Sequence, residues 1–201
     1  MRRQSLGCTI LQGDGLKAFG EGFEQVLAGA KAGAEWAWRE IYDAFSPTVL
    51  GYVRGRSAED PEDLLGQVFL QVLRAIGSFS GGEDAFRGWV LTIARRRVID
   101  DYRRRKRGPI VHGTQEELEA AGPAGDTERE AVGRLQAAEA LTAIRGLSPD
   151  QQDVLLLRLV AELSLEEVAG VLGKSVGAVK ALQHRGLVAL AKRIPREAVS
   201  P

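Results

Sequence analysis

The chain has 201 residues, and its 27 Lys and Arg residues balance its 27 Asp and Glu residues, so its formal net charge is zero. This length suits one medium domain or two small ones, and the abundance of Ala, Leu, Val, Glu and Arg favours an all-α fold. A lone cysteine, Cys8, excludes an internal disulfide framework and a clustered thiolate metal site, and it favours a reducing, cytoplasmic compartment. Because no uncharged apolar run is long enough to span a bilayer, we expect no membrane insertion.

The overall neutrality hides three segments of opposite sign. Residues 95–107 hold eight cations against two acids, and residues 174–196 hold six cations and no acid. Between them, residues 108–132 hold six acids against one arginine. Two basic blocks separated by an acidic stretch predict two contacts with a polyanion and a spacer that avoids it.

The first fifty residues predict an N-terminal extension followed by helices. Residues 1–22 are rich in glycine and lack a strong apolar period, so we expect them to be disordered. A short amphipathic helix is predicted from Phe23 to about Ala32. Large apolar residues then recur at helical spacing, with an interruption at Pro47. We interpret these residues as core: Trp36, Ile41, Tyr42, Phe45, Val49 and Tyr52.

The segment AEDPEDLLGQVFLQVLRAIGSF predicts the next helix. Asp60 suits its N-cap, Pro61 its first position and Gly77 its end. One face is broad and apolar, and it includes Leu73. The opposite face is a narrow polar stripe of Asp63, Gln67, Gln71 and Arg74. The periodicity leaves open whether this stripe is only solvated or docks on a partner.

A loop is predicted from Ser78 to Glu83, and a long helix from about Asp84. Apolar residues surround most of this helix as far as Tyr102, after which they stop while arginines continue. The helix is therefore expected to be buried early and to project late. Its closely spaced cations repel one another unless an anion lies alongside, so residues 95–107 favour nucleic acid over a merely solvated helix end.

Residues 108–132 combine glycine, proline and acids, which predicts a flexible acidic linker, and helix is expected to resume around residues 130–145. Beyond it, Ser148 with Gln151 and Ser164 with Glu167 form two capping boxes, each of which opens a helix.

The order of a short helix, a tight turn at Gly173 and a longer helix capped by Ser175 is typical of a helix-turn-helix. Pro195 is expected to end the last helix. Opposite its apolar stripe lie the residues that would face base edges in a major groove: Gly177, Lys180, Ala181, His184 and Arg185.

Signatures of catalysis are missing from the sequence. It contains no Gly-rich phosphate loop, no Ser/His/Asp arrangement and no Cys/His pair with catalytic sense. A metal site on His112 and His184 is disfavoured because His112 lies in the predicted linker. Asp100 and Asp101 diverge by about 100 degrees around a helix, so they are expected to pair with neighbouring arginines. We therefore expect no enzyme, no cofactor and no metal.

Three stretches resemble, in this order, signature segments of extracytoplasmic-function (ECF, group 4) bacterial sigma factors of the sigma-70 family. They are DPEDLLGQVFLQVLRAI, FRGWVLTIARRRVIDDYRRRKR and LSPDQQDVLLLRLVAELSLEEVAGVLGKSVGAVKALQHRG. The resemblance implies an all-α protein with two small helical domains joined by a flexible acidic linker. The predicted division is an extension at 1–22, a sigma-2-like domain at 23–107, a linker at 108–132, a sigma-4-like helix-turn-helix domain at 133–195 and a tail at 196–201.

The resemblance also implies roles. As a sigma factor, the chain would bind core RNA polymerase and direct transcription from promoter DNA. Its polymerase-docking residues would be Asp60, Glu62, Asp63, Gln67 and Gln71. Its minus-ten residues would be Ser80, Phe86, Arg87, Trp89, Arg95, Arg96, Arg97, Arg103, Arg104 and Arg105. Its minus-thirty-five residues would be Lys174, Ser175, Gly177, Ala178, Lys180, Ala181, His184 and Arg185.

Other functions are also compatible with the sequence. Two small domains on a linker offer surface to an anti-sigma factor, which we hypothesise as an inhibitory partner. The main alternative is a helix-turn-helix regulator that binds duplex DNA independently of polymerase, although no dimerisation or sensor element is visible. A nuclease is disfavoured by the absence of carboxylate clusters. A sigma-like antagonist that starts no transcripts is distinguished only by a transcription assay.

Overall fold

In the computed structural model of the chain, the described residues are 19–56, 60–107 and 141–193, and every regular element in these ranges is helical. The helices are α1 (Phe23–Lys31), α2 (Glu35–Gly55), α3 (Pro61–Ala75), α4 (Glu83–Arg107), α5 (Pro149–Leu159), α6 (Leu165–Leu172) and α7 (Val176–Ala191), and residues 141–145 are helical as well. The all-α prediction is confirmed. The acidic linker, residues 1–18 with Cys8, His112 and the C-terminal tail lie outside the described residues.

The first four helices form one unit around an aromatic centre. The Phe86 side chain is fully buried, and the rings of Phe23, Phe45, Phe79 and Trp89 have centroids 5.1–5.5 Å from its own. Tilted and edge-on ring pairs at this spacing add to the stabilisation given by buried area alone. Helices α3 and α4 pack against each other and against α2. The aromatic centre therefore fixes the beginning of α4 within this unit.

Helix α2 continues through Pro47, so the predicted interruption is wrong. Proline lacks an N–H and forfeits one helical hydrogen bond. The buried side chains of Phe45 and Val49, one on each side of Pro47, nevertheless keep both halves of α2 on the core.

Two of the predicted core aromatics lie at the surface. Trp36 is 50% exposed and Tyr42 is 44% exposed, so the core prediction is wrong for both. Each is adjacent in sequence to a fully buried residue, Ala37 or Ile41. Successive side chains on a helix point about 100 degrees apart, so a residue next to a buried position lies on a different face of the helix.

Helix α3 buries the face that the sequence predicts, through Leu64, Leu65, Val68, Phe69 and Val72. It ends at Ala75, and the predicted terminal glycine, Gly77, lies in the 3-10 turn Ile76–Ser78 that follows. Leu73 is 48% exposed, so its assignment to the buried face is wrong.

The end of the predicted N-terminal extension is ordered. The backbone N–H groups of Phe19 and Gly20 donate to the Glu83 carboxylate over 3.0–3.3 Å, and the Phe19 ring lies 6.1 Å from the rings of Phe23 and Phe45. The prediction of disorder is therefore wrong for residues 19–22, which close over the first turn of α4.

The predicted helix-turn-helix is present as α6 and α7, supported by α5. Both capping boxes form: Ser148 with Gln151 at α5, and Ser164 with Glu167 at α6. Gly173 ends α6 with φ 63°, a left-handed conformation that side chains with a Cβ disfavour. These local signals set the two helix starts and the turn where the sequence predicts them.

Helix α7 begins after Ser175, whose hydroxyl accepts the N–H of Ala178 at 3.2 Å. Gly186 lies where α7 crosses α5, and a Cβ there would stand 3.0 Å from Leu155 Cδ1. The helix ends at Ala191, ahead of Pro195, which lies outside the described residues.

The two units pack against each other. Helix α2 contacts α5, and α4 contacts α6. A Cβ at Gly55 would stand 2.4 Å from Leu156 Cδ2, and a Cβ at Gly51 would stand 2.7 Å from Val160 Cγ1. Glycine at both positions lets these side chains approach the α2 backbone closely. The buried apolar residues consequently form one core that extends across both units.

Candidate nucleic-acid interface

The polar stripe predicted for docking lies on the surface of α3. Asp60 caps the helix by accepting the N–H of Asp63 at 2.8 Å, and Gln67 donates to the Asp63 carboxylate at 2.6 Å. Asp60, Glu62 and Asp63 are exposed, whereas Gln67 and Gln71 are half-buried. The five residues thus form one accessible surface of carboxylates and amides.

Two residues of the stripe are engaged within the unit. Gln71 Oε1 accepts from Arg97 Nε at 2.8 Å, which joins the stripe to α4. Glu62 pairs with Arg54 at 2.6 Å on the surface. Exposed ion pairs contribute little free energy, so the Glu62 carboxylate remains open to exchange partners.

The predicted minus-ten residues at the start of α4 divide into exposed and buried groups. Ser80 is exposed in the loop that precedes α4, and Trp89 is half-buried. Phe86 is fully buried in the aromatic centre, so its assignment as a DNA contact is wrong: the side chain has no surface to offer and instead positions α4. Arg87 is buried where the two units meet, beside Glu162.

The remaining arginines of α4 lie in three environments. Arg96, Arg103, Arg104 and Arg105 are exposed. Arg97 is half-buried and bonded to α3, and Arg95 faces the other unit. The exposed cations concentrate at the exit of α4, as the sequence predicts.

The two aspartates of this segment pair with arginines, as predicted. Asp101 lies 3.0 Å from Arg105 and 3.5 Å from Arg104, and Asp100 lies 3.9 Å from Arg103. These pairs are one helical turn apart, and their arginine side chains are 35–65% exposed, so the pairs offset part of the repulsion within the run without removing its positive surface.

A charged centre between the units was not predicted. Asp153 of α5 is 1% exposed; it accepts from the Tyr52 hydroxyl at 2.7 Å and pairs with Arg56 at 3.1 Å and Arg95 at 2.9 Å. All three partners belong to the first unit. Burial and then the neighbouring Asp153 carboxylate raise the pKa of the Tyr52 phenol well above its ordinary value.

One feature of the sequence indicates that α5 is buried on more than one side. Helix α5 buries five consecutive residues, 153–157, of which the first is an aspartate and the rest are apolar. A helix packed on one side buries only a stripe, so five consecutive buried residues require neighbours on more than one side. Leu155 packs against α7 and Leu156 against α2, which meets that requirement.

The predicted minus-thirty-five residues lie together on the accessible side of the helix-turn-helix. Lys174 is half-buried and pairs with Asp150 at 3.1 Å, while the Ser175 hydroxyl caps α7. Those accessible on α7 are Gly177, Ala178, Lys180, Ala181, His184 and Arg185. The face therefore presents few side-chain donors, set among small residues that allow close approach to a groove.

Metal clusters and membrane-spanning helices are both missing from the described ranges. Within residues 19–56, 60–107 and 141–193, no three His, Cys, Asp or Glu side chains converge as metal ligands. No helix in that part of the chain combines the length and apolarity needed to cross a membrane.

An all-helical fold with a helix-turn-helix and a separate cationic helix is typical of DNA-binding proteins. Comparison with protein families narrows this class. Residues 36–108 match the family model for sigma-70 region 2, and residues 137–190 match the model for sigma-70 region 4.

Similar proteins point to the same family. The chain is 36% identical over 176 residues to the ECF RNA polymerase sigma factor BldN of Streptomyces coelicolor, a match that covers 87% of this chain and 66% of BldN. It is 30% identical over 184 residues to the ECF RNA polymerase sigma factor SigD of Mycobacterium tuberculosis, which covers 87% of this chain and 85% of SigD. The chain belongs to the ECF RNA polymerase sigma factors. It is accordingly a transcription initiation factor and not an enzyme.

The fold also matches a solved structure. CnrH, solved in complex with the cytosolic domain of CnrY, aligns with a TM-score of 0.65 at 20% identity, and the alignment covers 89% of this chain and 99% of CnrH. At this identity the likeness supports the fold alone.

Proposed function

We propose that this chain recruits core RNA polymerase to promoters with a separate element for each contact. The α3 stripe docks on polymerase, the loop before α4 and the α4 exit engage the minus-ten element, and α7 reads the minus-thirty-five element. The observation that carries the proposal is the placement of three accessible faces of suitable chemistry on the two regions that match sigma-70 models, in the matching order. The domain limits at 23–107 and 133–195 belong to the same proposal.

At the minus-ten element, the loop around Ser80 is positioned to receive a base extruded from the duplex. Extrusion costs a few kcal/mol of stacking and pairing, which contacts to the base and phosphates offset. Arg103, Arg104 and Arg105 at the α4 exit supply phosphate contacts, while Trp89 lies half-exposed between the loop and these cations. The two functions, base capture and backbone contact, thus occupy opposite ends of one helix.

At the minus-thirty-five element, the α7 face makes fewer base-specific contacts than a helix rich in amides would. Its accessible donors are Lys180, His184 and Arg185, and Arg185 Nε donates within the helix to the Ala181 carbonyl at 3.2 Å. Ala178 and Ala181 contribute only apolar contacts, such as those to a thymine methyl group. Upstream recognition should therefore depend on shape and phosphate contacts alongside a few base contacts.

The test is run-off transcription from a promoter library with core polymerase and the full chain. Asp63→Arg should abolish polymerase capture and transcription, because it reverses the charge in the middle of the docking stripe. Glu24→Arg makes the same charge change on the exposed face of α1 and should leave both unchanged. A stable complex with duplex DNA and no capture of polymerase would favour the helix-turn-helix regulator instead.

Two finer assignments accompany this function. We place the protein in the cytoplasm, where polymerase and promoters are. We also propose an anti-sigma factor that inhibits it by covering both units, since two small units on a linker offer that surface. Purification of the tagged chain from its host, without a bound inhibitor and with full activity at all times, would contradict the second assignment.

A further inference from the structure

The loop proposed to capture a minus-ten base is short and has a buried residue at each end. Its exposed part is residues 80–82, which lie between Phe79, 9% exposed, and Glu83, 5% exposed. A short loop with both ends fixed has few conformations open to it. The shape that the loop presents to DNA therefore depends on what holds Phe79 and Glu83 in place.

Phe79 is held by ring packing and by one hydrogen bond from α1. Its ring lies 5.1 Å from the rings of Phe86 and Trp89, in the aromatic centre. Its carbonyl accepts from Lys31 Nζ at 2.6 Å. A hydrogen bond from an ammonium group is stronger than one between neutral groups. Because Lys31 is the last residue of α1, this bond connects the end of that helix to the beginning of the loop.

Glu83 is held by the turn that precedes α1. Its carboxylate accepts the backbone N–H groups of Phe19 and Gly20 over 3.0–3.3 Å, and it lies 4.0 Å from Arg87. A buried carboxylate is costly without such donors, so the turn and the start of α4 stabilise each other. Both ends of the loop are consequently attached to one segment, residues 19–31.

Between its two ends the loop has a backbone conformation that favours glycine. Gly81 has φ 141°, which residues with a Cβ rarely adopt. A Cβ at this position would stand 3.1 Å from Ala85 Cβ and 3.3 Å from the Phe79 ring. The loop is therefore folded closely against its own ends, while Ser80 stays exposed.

We propose that Lys31 and Glu83 are positioning residues for minus-ten recognition. They attach the loop to residues 19–31, the N-terminal brace, and the brace keeps residues 80–82 in the shape that receives the base. A loop that is already in its binding shape loses less conformational freedom when DNA binds. The proposal rests on the proposed function for the role of the loop, whereas the attachment itself is tested without DNA.

Lys31 allows the brace to be loosened without a change in the core, because Lys31 is an exposed residue. Lys31→Met removes the ammonium donor and keeps an unbranched side chain, whereas Lys31→Arg restores a cationic donor. Arg39→Met is the matched control. It also removes one cation, from the exposed face of α2, where Arg39 pairs with Glu35 at 2.9 Å.

Amide hydrogen exchange in the free full-length chain, followed by NMR, measures the attachment at Phe79. The Phe79 amide donates to the Ile76 carbonyl at 3.0 Å. It should exchange at least about fivefold faster in Lys31→Met, because the loosened loop opens more often. Lys31→Arg and Arg39→Met should exchange as slowly as the parent. Equal exchange in Lys31→Met and the parent would overturn the role of Lys31.

The same measurement tests the attachment at Glu83. In Glu83→Gln the side chain presents one acceptor oxygen in place of two and carries no charge. The Phe86 amide, which donates to the Gly82 carbonyl at 3.0 Å, should exchange at least about fivefold faster. Asp84→Asn removes the same charge from the exposed side of the same helical turn and should leave the exchange unchanged. Equally faster exchange at the buried Val90 of α4 would indicate general destabilisation and count against the attachment.

Selectivity at the minus-ten element measures the consequence for promoter recognition. Run-off transcription with core polymerase is compared across promoters that carry each base at each minus-ten position. Lys31→Met should lower the preference for the favoured base about fivefold at one or more of these positions. Only the correctly shaped loop distinguishes the bases, and its population falls in this variant. Lys31→Arg should restore the preference, and selectivity at the minus-thirty-five element should not change.

Two other outcomes have different meanings. An equal loss of transcription at every promoter variant, with the minus-ten preference kept, would overturn the positioning role, because general destabilisation lowers activity without changing selectivity. A parent that shows no minus-ten preference would contradict the proposed function. In that case the exchange measurement would still decide whether the N-terminal brace holds the loop.

Discussion

Asp153 illustrates how a buried charge is tolerated between two units. An isolated carboxylate moved from water into an apolar interior costs several kcal/mol, and this cost is offset only by close partners. The Tyr52 hydroxyl and Arg95 Nε donate hydrogen bonds to the Asp153 carboxylate at 2.7 and 2.9 Å, and the Arg56 guanidinium forms an ion pair with it at 3.1 Å. Because the two arginine cations share one carboxylate, their positive charge is only partly neutralised. Removing the carboxylate should therefore be costly for all of its neighbours.

We expect Asp153→Asn to lower the free energy of unfolding by about 3 kcal/mol, because the Arg56 and Arg95 side chains, only 10% and 22% exposed, would face a neutral amide of the same shape. Urea denaturation followed by circular dichroism measures this difference. Asp150→Asn is the control: Asp150 lies one turn earlier on α5 and pairs with Lys174 at 3.1 Å near the surface. It should cost less than about 1 kcal/mol. Equal losses in the two variants would show that burial of the Asp153 pairs contributes nothing.

Among the elements, α4 and α7 both bind DNA in the proposed function but should respond differently to mutation. Replacing Arg103, Arg104 and Arg105 by glutamine should weaken promoter complexes across all sequences, because each arginine neutralises a phosphate whatever the base. The slope of log affinity against log salt should fall by up to about 3, roughly one for each phosphate that is no longer neutralised. Fluorescence anisotropy with polymerase holoenzyme over a salt series measures this slope.

Lys180→Ala should instead change the preference at the upstream element, with about 1–3 kcal/mol of lost discrimination if Lys180 contacts a base edge. A library of minus-thirty-five variants measures that preference. The same sequence-independent loss from Lys180→Ala and from the α4 triple variant would contradict the assignment of α7 as the recognition helix.

The elements that the sequence predicts well are those with local signals. Ser148, Ser164 and Ser175 each satisfy backbone N–H groups within three residues, and Gly173 fits a left-handed turn, so no knowledge of the tertiary structure is needed. The same holds for the position of the α3 stripe and of the α7 face, because helical periodicity alone determines which residues share a side.

Other features depend on contacts distant in the sequence, and there the predictions are incomplete or wrong. The prediction that α2 is interrupted at Pro47 is wrong, because the buried side chains before and after Pro47 hold α2 on the core despite the loss of one hydrogen bond. The Asp153 centre joins residues more than 50 positions apart, and no local pattern specifies its partners. Phe86 is placed among DNA contacts by family resemblance, although its aromatic neighbours keep it in the core.

Considered as one molecule, the chain combines two requirements that conflict in a rigid body. A continuous core across both units stabilises the packed chain, whereas the proposed function places the two units on two separate promoter elements. We expect the two units to separate when polymerase and promoter DNA engage both of them, because a ligand favours the arrangement in which it makes more contacts. A covalent lock on the packed arrangement should therefore abolish transcription.

The interface offers a position for such a lock. A Cβ at residue 55 would lie 3.2 Å from Leu156 Cγ. The Leu156 Cβ is one bond of about 1.5 Å from that Cγ, so the two Cβ atoms would be at most about 4.7 Å apart, close to the separation that a disulfide requires. Oxidised Gly55→Cys/Leu156→Cys, in the Cys8→Ser background, should lose run-off transcription by at least about tenfold, and a reductant should restore it. The two single-cysteine proteins, oxidised in the same way, should remain active. Full transcription by the oxidised protein, with the cross-link verified by mass spectrometry, would show that the units do not need to separate at a promoter.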